Sequence, residues 1–402
     1  MFKKIKKCRC CDNKKLIKIL DLGMHPLANS YVSKPKNIKK FPLVLMLCDA
    51  CFHLQLSVVV NPDLLFKNYL YVSGTTKTLN DYFEYFAKFS IDRFKKINKR
   101  KPINVLDIAC NDGSQLNKFK NKGLDTFGID PAENLHKLSS KNHKVYCGYI
   151  ENYKPKNKFD IIVAQNVFAH VDDLNVFISK VKKSMNENSV FFIQTSQANM
   201  LLNNEFDTIY HEHLSFFNTF SMIKALRKHD LFLNSVYKTP VHGTSYVFEI
   251  GLSKKCGNAS RTFLEEFENK FFNIDFYKSY SKKCLDCVGE LKRKINDLKK
   301  KGYKIIGYGA AAKGNTLLNF ANISLDYIID DNPLKQNMFT PGMNIPIVSI
   351  DKLNDFSKKD KICFIPLAWN FYEEIKSRIE KFRNFKVDKI IKYFPKYKEE
   401  VL

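Results

Sequence analysis

The stretch Val105-Leu-Asp-Ile-Ala-Cys-Asn-Asp-Gly-Ser114 limits the possible folds of this chain more than any other. Apolar residues end a predicted strand, Asp107 places a carboxylate in that end, and a loop through Asn111, Asp112 and Gly113 leads to a helix starting near Ser114. Open α/β sheets bind ligands at the carboxyl ends of their strands. A second strand, Asp125-Thr-Phe-Gly-Ile129, ends in Asp130, 23 positions after Asp107, about where such folds place the acid that binds a ribose. Within the first turn only Gly113 is a glycine, whereas a pyrophosphate needs several close backbone amides. S-adenosylmethionine has no phosphate, so the pattern fits that cofactor better than NAD. The plain alternative is any strand-loop-helix unit with a polar turn.

Strands near 103–108, 124–129, 144–148, 159–165 and 189–195, with helices between them, predict a doubly wound parallel sheet over about 99–253. The fourth strand, Phe159 to Gln165, runs into Asn166-Val-Phe-Ala-His170. Methyltransferase sheets often carry polar and aromatic groups there, against the methionine part of the cofactor, which makes Gln165 and Asn166 candidates. His170 reads equally as a helix-start residue. Residues 77 to 98 have the period of an amphipathic helix, with Tyr82, Phe83, Phe86 and Phe89 on one side.

The chain has 402 residues, enough for two or three domains. Its apolar runs fall far short of the ~18 residues of a membrane span, and its basic start lacks the apolar segment of a signal peptide. A cytoplasmic protein with no membrane insertion is expected. The net charge of +25 invites a nucleic-acid reading. The lysines are scattered over every predicted element, however, so a solvated surface accounts for them and no nucleic-acid partner is expected.

Eleven cysteines in such a chain point to metal or chance, not to a disulfide framework. Cys8-Arg-Cys-Cys11 and Cys48-Asp-Ala-Cys51 are two C-x-x-C knuckles. Cys8, Cys11, Cys48 and Cys51 have the spacing of a closed tetrahedral site, hence a structural zinc. Cys10 is a spare able to replace Cys11, and His25 and His53 are not needed as ligands. A third knuckle, Cys284-Leu-Asp-Cys287, lies in a long charged helical stretch of about 258–300. It has no second pair, and its thiols read as ordinary helix residues.

Other polar clusters remain. Tyr69 and Tyr71 stand two apart, share a face if extended, and by themselves read as core aromatics. Tyr210-His-Glu-His213 packs two histidines, a glutamate and a tyrosine into four positions, a spacing that suits acid–base work better than a zinc helix, with a structural cluster as the alternative. Val241-His-Gly-Thr-Ser245, with His242 and Gly243, precedes an alternating strand, Tyr246 to Leu252. Near the C-terminus, Lys304-Ile-Ile-Gly-Tyr-Gly-Ala-Ala-Ala-Lys-Gly-Asn315 reads as strand, tight turn and helix start, and Asp330 ends the next strand. Backbone amides at Gly309 plus Lys313 in the first helical turn suit a diphosphate. A dinucleotide-dependent oxidoreductase is the rival there. A further α/β segment carries Ile362 to Pro366, Trp369-Asn370 and a helix through Glu374.

Together these motifs resemble the three-domain, zinc-containing sugar C-methyltransferases of deoxysugar pathways over essentially the whole chain. The resemblance rests on the paired knuckles, Tyr69/Tyr71-Ser73-Gly74, Cys110-Asn-Asp-Gly-Ser114, Gly128-Ile-Asp-Pro131, Tyr210-His-Glu-His-Leu214, Gly307-Tyr-Gly-Ala-Ala-Ala-Lys313, Pro341-Gly342 and Ala368-Trp-Asn370. It implies an α/β chain of three parts: a zinc-binding module over 1–75, a class I methyltransferase domain of Rossmann-like type over 76–255, and a helical linker with a C-terminal Rossmann-like nucleotide-sugar-binding domain over 256–402. The implied reaction is methylation of carbon 3 in a nucleotide-linked 4-keto-6-deoxysugar, through an enolate. The implied general base is His213, with Glu212 and Tyr210 as assistants and Tyr71 as an aromatic hydroxyl from the zinc module. Asp107, Cys110, Asn111, Asp112, Gly113, Asp130, Pro131, Gln165 and Asn166 would line the S-adenosylmethionine site. His242, Gly243, Gly309, Lys313, Asn315, Trp369 and Asn370 would meet the substrate. The family's His-Gly-Gly-Ser-x-Arg segment stands here as His242-Gly-Thr-Ser-Tyr-Val247, without the second glycine and the arginine. Competing readings are a sugar O-methyltransferase, an RNA-binding methyltransferase with a zinc module, and a non-catalytic nucleotide-sugar-binding protein.

Overall fold

The computed structural model describes residues 2–67, 72–75 and 77–402. The chain forms two compact units. The first comprises Met1–Ile17, Met46–Ala198 and Glu212–Asn273, and the second Lys18–Leu45, Asn199–His211 and Ile274–Leu402.

The first unit is built on seven strands: β1 (Asn104–Ile108), β2 (Asp125–Asp130), β3 (Lys144–Cys147), β4 (Phe159–Gln165), β5 (Met185–Thr195), β6 (Phe232–Thr239) and β7 (Ser245–Gly251). They lie side by side as β6-β7-β5-β4-β1-β2-β3. The β1 pairings with β2 and β4 are parallel, and β7 runs antiparallel to β5 and β6. Chain order reverses at β1, so a crevice opens where β1 and β4 end, which is where ligands bind in such sheets.

Both faces of this sheet are covered, so its strands read as continuous apolar runs. Val105, Ile161, Val163, Val190 and Phe192 pack with Phe86 and Phe94 of the helix Lys77–Asn98. Leu106, Ile108, Ile162, Phe191 and Ile193 turn the other way, toward Phe177, Ile178 and Met222 of the helices Leu174–Lys183 and Thr219–Arg227. A two-pronged ion pair, Arg93 Nε to Glu249 Oε2 at 2.6 Å and Arg93 Nη2 to Oε1 at 2.9 Å, ties the first helix to β7.

The long helical stretch expected over 258–300 is two helices, Ala259–Glu268 and Ile274–Lys300. Lys270 sits at φ 62°, a left-handed turn that stops the first helix, and the buried Phe271 follows it. The break coincides with the passage of the chain from the first unit to the second. Apolar periodicity continues across the break, which is why it was not visible in the pattern.

The second unit carries β8 (Lys304–Tyr308), β9 (Tyr327–Ile329), β10 (Ile347–Val348), β11 (Ile362–Pro366), β12 (Lys389–Lys392) and β13 (Lys398–Val401), ordered β10-β9-β8-β11-β12-β13. All pairings are parallel except β12 with β13. Its order reverses at β8, placing a second crevice after Tyr308 and Pro366. No helix among the described residues is long and apolar enough to cross a membrane.

Candidate active site

The two cysteine knuckles fold in the same way. Asp12 N donates to Cys8 O at 3.0 Å and Phe52 N to Cys48 O at 3.0 Å. The residue after each second cysteine is left-handed, Asp12 at φ 62° and Phe52 at φ 54°. The four sulfurs of Cys8, Cys11, Cys48 and Cys51 lie within 4.8 Å of one another, and two of the pairs are 3.5 Å apart. All eleven cysteines are free thiols. Zn–S bonds of about 2.3 Å in a tetrahedron put sulfurs about 3.8 Å apart, so this donor set fits zinc. Cys10 is buried outside the cluster, and Cys11 is in it.

These knuckles hold the histidine-rich segment. Ser215–Phe216 pairs antiparallel with Leu54–Leu56, just after the second knuckle. Arg9 Nη1 donates to Leu214 O at 3.3 Å, and Asn218 Nδ2 donates to Phe52 O at 2.7 Å. His53 Nε2 lies 3.2 Å from Ser215 Oγ. Leu214 N donates to Ala169 O at 2.8 Å, so His213 comes to rest beside His170, with ring centroids 5.1 Å apart. His170 follows β4, at the carboxyl edge of the sheet. Close packing lowers the His170 pKa to about 4, so it is neutral near pH 7, and Phe66 stacks on it at 5.6 Å. Glu212, in a turn, and His213, just after it, are both buried. In the second unit, His211 is spent differently: its Nε2 lies 3.2 Å from Pro42 O. Tyr210 belongs to that unit as well. Tyr69 and Tyr71 lie outside the described residues.

The turn after β1 is tightly wound. Ala109 (φ 65°), Asn111 (φ 51°) and Gly113 (φ 83°) are all left-handed. Such a conformation costs about 1–3 kcal/mol at each non-glycine position. Asp130 compensates: Oδ2 accepts from Asn111 N and Oδ1 from Ala132 N, both at 2.8 Å, bracketing Pro131. Cys110 packs on Gly128, where a Cβ would stand 2.6 Å from its sulfur. Asp107 is 3% exposed and accepts no hydrogen bond from any described residue. Burial, and then the charges of Asp130 and Asp112, push its pKa well above the usual carboxylate range. A ligand bearing positive charge would relieve this crowding, and a sulfonium with an ammonium group meets that demand.

Two predicted cofactor residues hold backbone as well. Asn111 Oδ1 accepts from Ser73 N and Asp112 Oδ2 from Gly74 N, each at 3.0 Å. Asp112 also accepts from Ser114 Oγ at 2.8 Å. A Cβ on Gly74 would stand 2.2 Å from Ser114 Oγ, so only glycine fits this docking. Upstream, Glu133 N donates to Lys67 O at 3.2 Å. The segment on either side of residues 68–71 is thus anchored to the cofactor loops at both ends.

After β4, Gln165 Nε2 donates to Gln194 Oε1 at 3.1 Å, and Asn166 N donates to Gln194 O at 3.0 Å. Tyr82 joins them, its hydroxyl donating to Gln194 Oε1 at 2.6 Å. Sequence reasoning placed Tyr82 with the apolar face and missed Gln194. The one signal was a hydroxyl amid phenylalanines. His242 (φ 56°) and Gly243 (φ 97°) form a turn whose Thr244 O accepts from Ala198 N at 3.0 Å.

In the second unit, Gly309 (φ 86°) turns the chain after β8, and a Cβ there would lie 2.9 Å from Ala368 Cβ. Lys313 Nζ sits 4.5 Å above the Trp369 ring, a cation–π contact. Trp369 Nε1 donates to Asp207 Oδ2 at 2.8 Å. Burial pushes the Asp207 pKa up to about 6, against the opposing pull of Lys313 and Trp369. Asp207 was not among the expected site residues. Asn370 occupies the short turn Trp369–Phe371. Asn315 is committed inside the unit, its Nδ2 donating to Ala28 O at 2.7 Å. The Ala310 carbonyl accepts from Lys335 Nζ at 2.8 Å, and Asp330 Oδ2 accepts from Ala310 N at 2.6 Å.

Three family models match in succession. Residues 8–66 match a "Putative zinc binding domain", 80–235 a "Methyltransferase domain" and 240–395 a "C-methyltransferase C-terminal domain". The C-methyltransferase NovU of Streptomyces niveus is 24% identical over 393 residues, covering 92% of this chain and 91% of that protein. A ubiquinone biosynthesis O-methyltransferase of Rhodopseudomonas palustris (strain HaA2) is 28% identical over 114 residues, 26% of this chain and 44% of its own length. Among solved structures, an S-adenosylmethionine-dependent methyltransferase from Clostridium acetobutylicum ATCC 824 overlaps 42% of this chain and 92% of its own, at 14% identity and a TM-score of 0.36. The likeness to the O-methyltransferase covers about a quarter of this chain, whereas the likeness to NovU runs nearly end to end. With these three domain models in order along nearly its whole length, the chain is an S-adenosylmethionine-dependent C-methyltransferase with a zinc-binding N-terminal domain.

Proposed function

We propose that this enzyme methylates carbon 3 of a nucleotide-linked 4-keto-6-deoxysugar, in the cytoplasm, for the synthesis of deoxysugars that enter surface polysaccharide or other glycoconjugates. One observation carries the reading: His213 is packed beside a neutral His170 at the carboxyl edge of the sheet that also ends in Asp107 and Asp130. A proton carrier next to a cofactor crevice suits carbon methylation, because the carbon must first lose a proton.

The C–H beside a ketone is weakly acidic, and a positioned histidine removes such protons at neutral pH. A ring nitrogen of His213 takes the proton from carbon 3, leaving the electron pair as an enolate. Glu212 and Tyr210 would assist in this, and a tyrosine hydroxyl, Tyr71 or Tyr210, would donate to the enolate oxygen. Bound S-adenosylmethionine supplies an electrophilic methyl group. The remaining task is alignment, which close packing supplies. Asp107 and Asp130 balance the positive charge of that cofactor, with Cys110, Asn111, Asp112, Gly113, Pro131, Gln165 and Asn166 around it. Lys313, Gly309, Trp369 and Asn370 suit the diphosphate end of the substrate, and His242 and Gly243 its sugar end. Asn315 would act from behind, by bracing the helix that bears Lys313.

Incubating the protein with S-adenosylmethionine and a panel of nucleotide-linked 4-keto-6-deoxysugars in D2O tests this. One methyl group on carbon 3, located by NMR, is the expected product. Methyl on oxygen would transfer the reading to an O-methyltransferase, and binding without turnover to a sugar-binding protein.

Gly74→Ala is expected to weaken S-adenosylmethionine binding and to slow turnover, each about tenfold, or ~1.4 kcal/mol. The added methyl group pushes Ser73–Gly74 off Asn111 and Asp112 while touching no cofactor atom itself. Calorimetric titration alongside steady-state rates would check it. Wild-type values for both would show that the anchoring is dispensable.

A further inference from the structure

Thr195 ends β5 in its inward-facing row of alternate residues, and Gln197 lies two residues on, past a bend at Ser196. That row begins with Phe191 and Ile193, which pack in the same cluster as Phe168 and Phe217. Phe168 precedes His170 by two residues and Phe217 follows His213 by four, so the row runs out to the carboxyl edge on the histidines' side of the sheet.

Thr195 is fully buried and Gln197 is 7% exposed. Among the described residues, Thr195 Oγ1 has no hydrogen-bond partner, and neither end of the Gln197 carboxamide, Oε1 or Nε2, has one. The contrast with Gln115 is informative. That buried amide leaves only its oxygen unmet, because Nε2 donates to Phe83 O at 3.1 Å. A carboxamide with two donors and an acceptor, all idle and out of water, is destabilising wherever it has no ligand to meet. The next residue, Ala198, is pinned to Thr244 O, in the turn that holds His242 and Gly243.

We propose that Gln197 recognises the sugar ring of the substrate. Its Nε2 donates to a keto or ring oxygen and its Oε1 accepts from a neighbouring hydroxyl, with the Thr195 hydroxyl as a third contact. The ligand class is a ring that presents an acceptor oxygen next to a hydroxyl. This rests on the sugar reading above. It also locates specificity in a place that the altered His242 segment does not supply, since a site built to hydrogen-bond a hydroxyl rejects analogues that lack it.

Gln197→Met keeps the volume and removes the polar atoms. The variant is expected to melt several degrees higher than wild type without substrate, to bind S-adenosylmethionine unchanged, and to show a KM for the sugar raised about thirtyfold, consistent with two lost hydrogen bonds. Gln197→Asn keeps the groups on a shorter arm and is expected to raise KM less. Unchanged KM in either soluble variant overturns the proposal, whatever the melting temperature. If wild type turns over no sugar in the panel, the sugar reading fails first and this proposal falls with it. Wild-type turnover with an unaffected Gln197→Met overturns this proposal alone.

Discussion

His213→Ala is expected to lower the rate of methyl transfer about 10³-fold, in the middle of the range for loss of a positioned acid–base group, while the Kd for S-adenosylmethionine stays within about twofold of wild type. The asymmetry follows from the geometry. His213 touches the ring of His170, and its own backbone neighbour Leu214 is held by Ala169 O and, through its carbonyl, by Arg9. None of those bonds uses the His213 side chain, so the segment keeps its path when the imidazole is removed. The acidic residues that would meet the cofactor, Asp107 and Asp130, belong to other strands. Exchange of the carbon 3 proton into D2O is the more direct readout, because it reports the first step without the methyl group. The variant is expected to lose exchange and methylation together. Methylation near the wild-type rate would remove His213 from the reaction, and exchange without methylation would show that another group takes the proton.

Stripping the metal is expected to have the second large effect. Cys48→Ser, or treatment with a strong chelator, should release one zinc per chain, lower the melting temperature by at least about 10 °C and abolish turnover. Structural zinc contributes roughly 10–16 kcal/mol of apparent binding energy in small zinc domains. The four thiols close the coordination shell, so the metal has no position for substrate and acts only through structure. Its reach is nonetheless catalytic. Leu54–Leu56, Arg9, Phe52 and His53 all hold residues 214–218, directly after His213. Loss of the knuckles therefore releases His213 from its place beside His170. Metal analysis, differential scanning calorimetry and rate measurement on one sample would check the chain of cause. A metal-free protein with the original melting temperature and rate would refute it.

The elements that the primary structure announced are those whose reason is local. The runs at 104–108 and 159–165 are buried on both faces, so they could only be interior strands, and the cysteine pairs at spacing three define a metal site at any tertiary distance. Acidic residues at two strand ends pointed to a crevice that the strand order then supplied. The interrupted helix at Lys270 escaped notice because apolar periodicity is blind to one left-handed residue.

Side-chain partnership was not legible. Asn111 and Asp112, expected around the cofactor, also hold the backbone of Ser73 and Gly74, nearly forty residues earlier. Tyr82 has the period of a core residue and packs against Phe86, yet its hydroxyl also meets Gln194. Asn315 reaches back to Ala28, and the Gln197 carboxamide is left with no hydrogen-bond partner among the described residues. Strand and helix identity arise from interactions over a few residues, which the order of side chains already contains. Which polar atom is satisfied, and which is left waiting for a ligand, depends on groups brought together only after the chain has closed on itself, and so belongs to the tertiary structure alone.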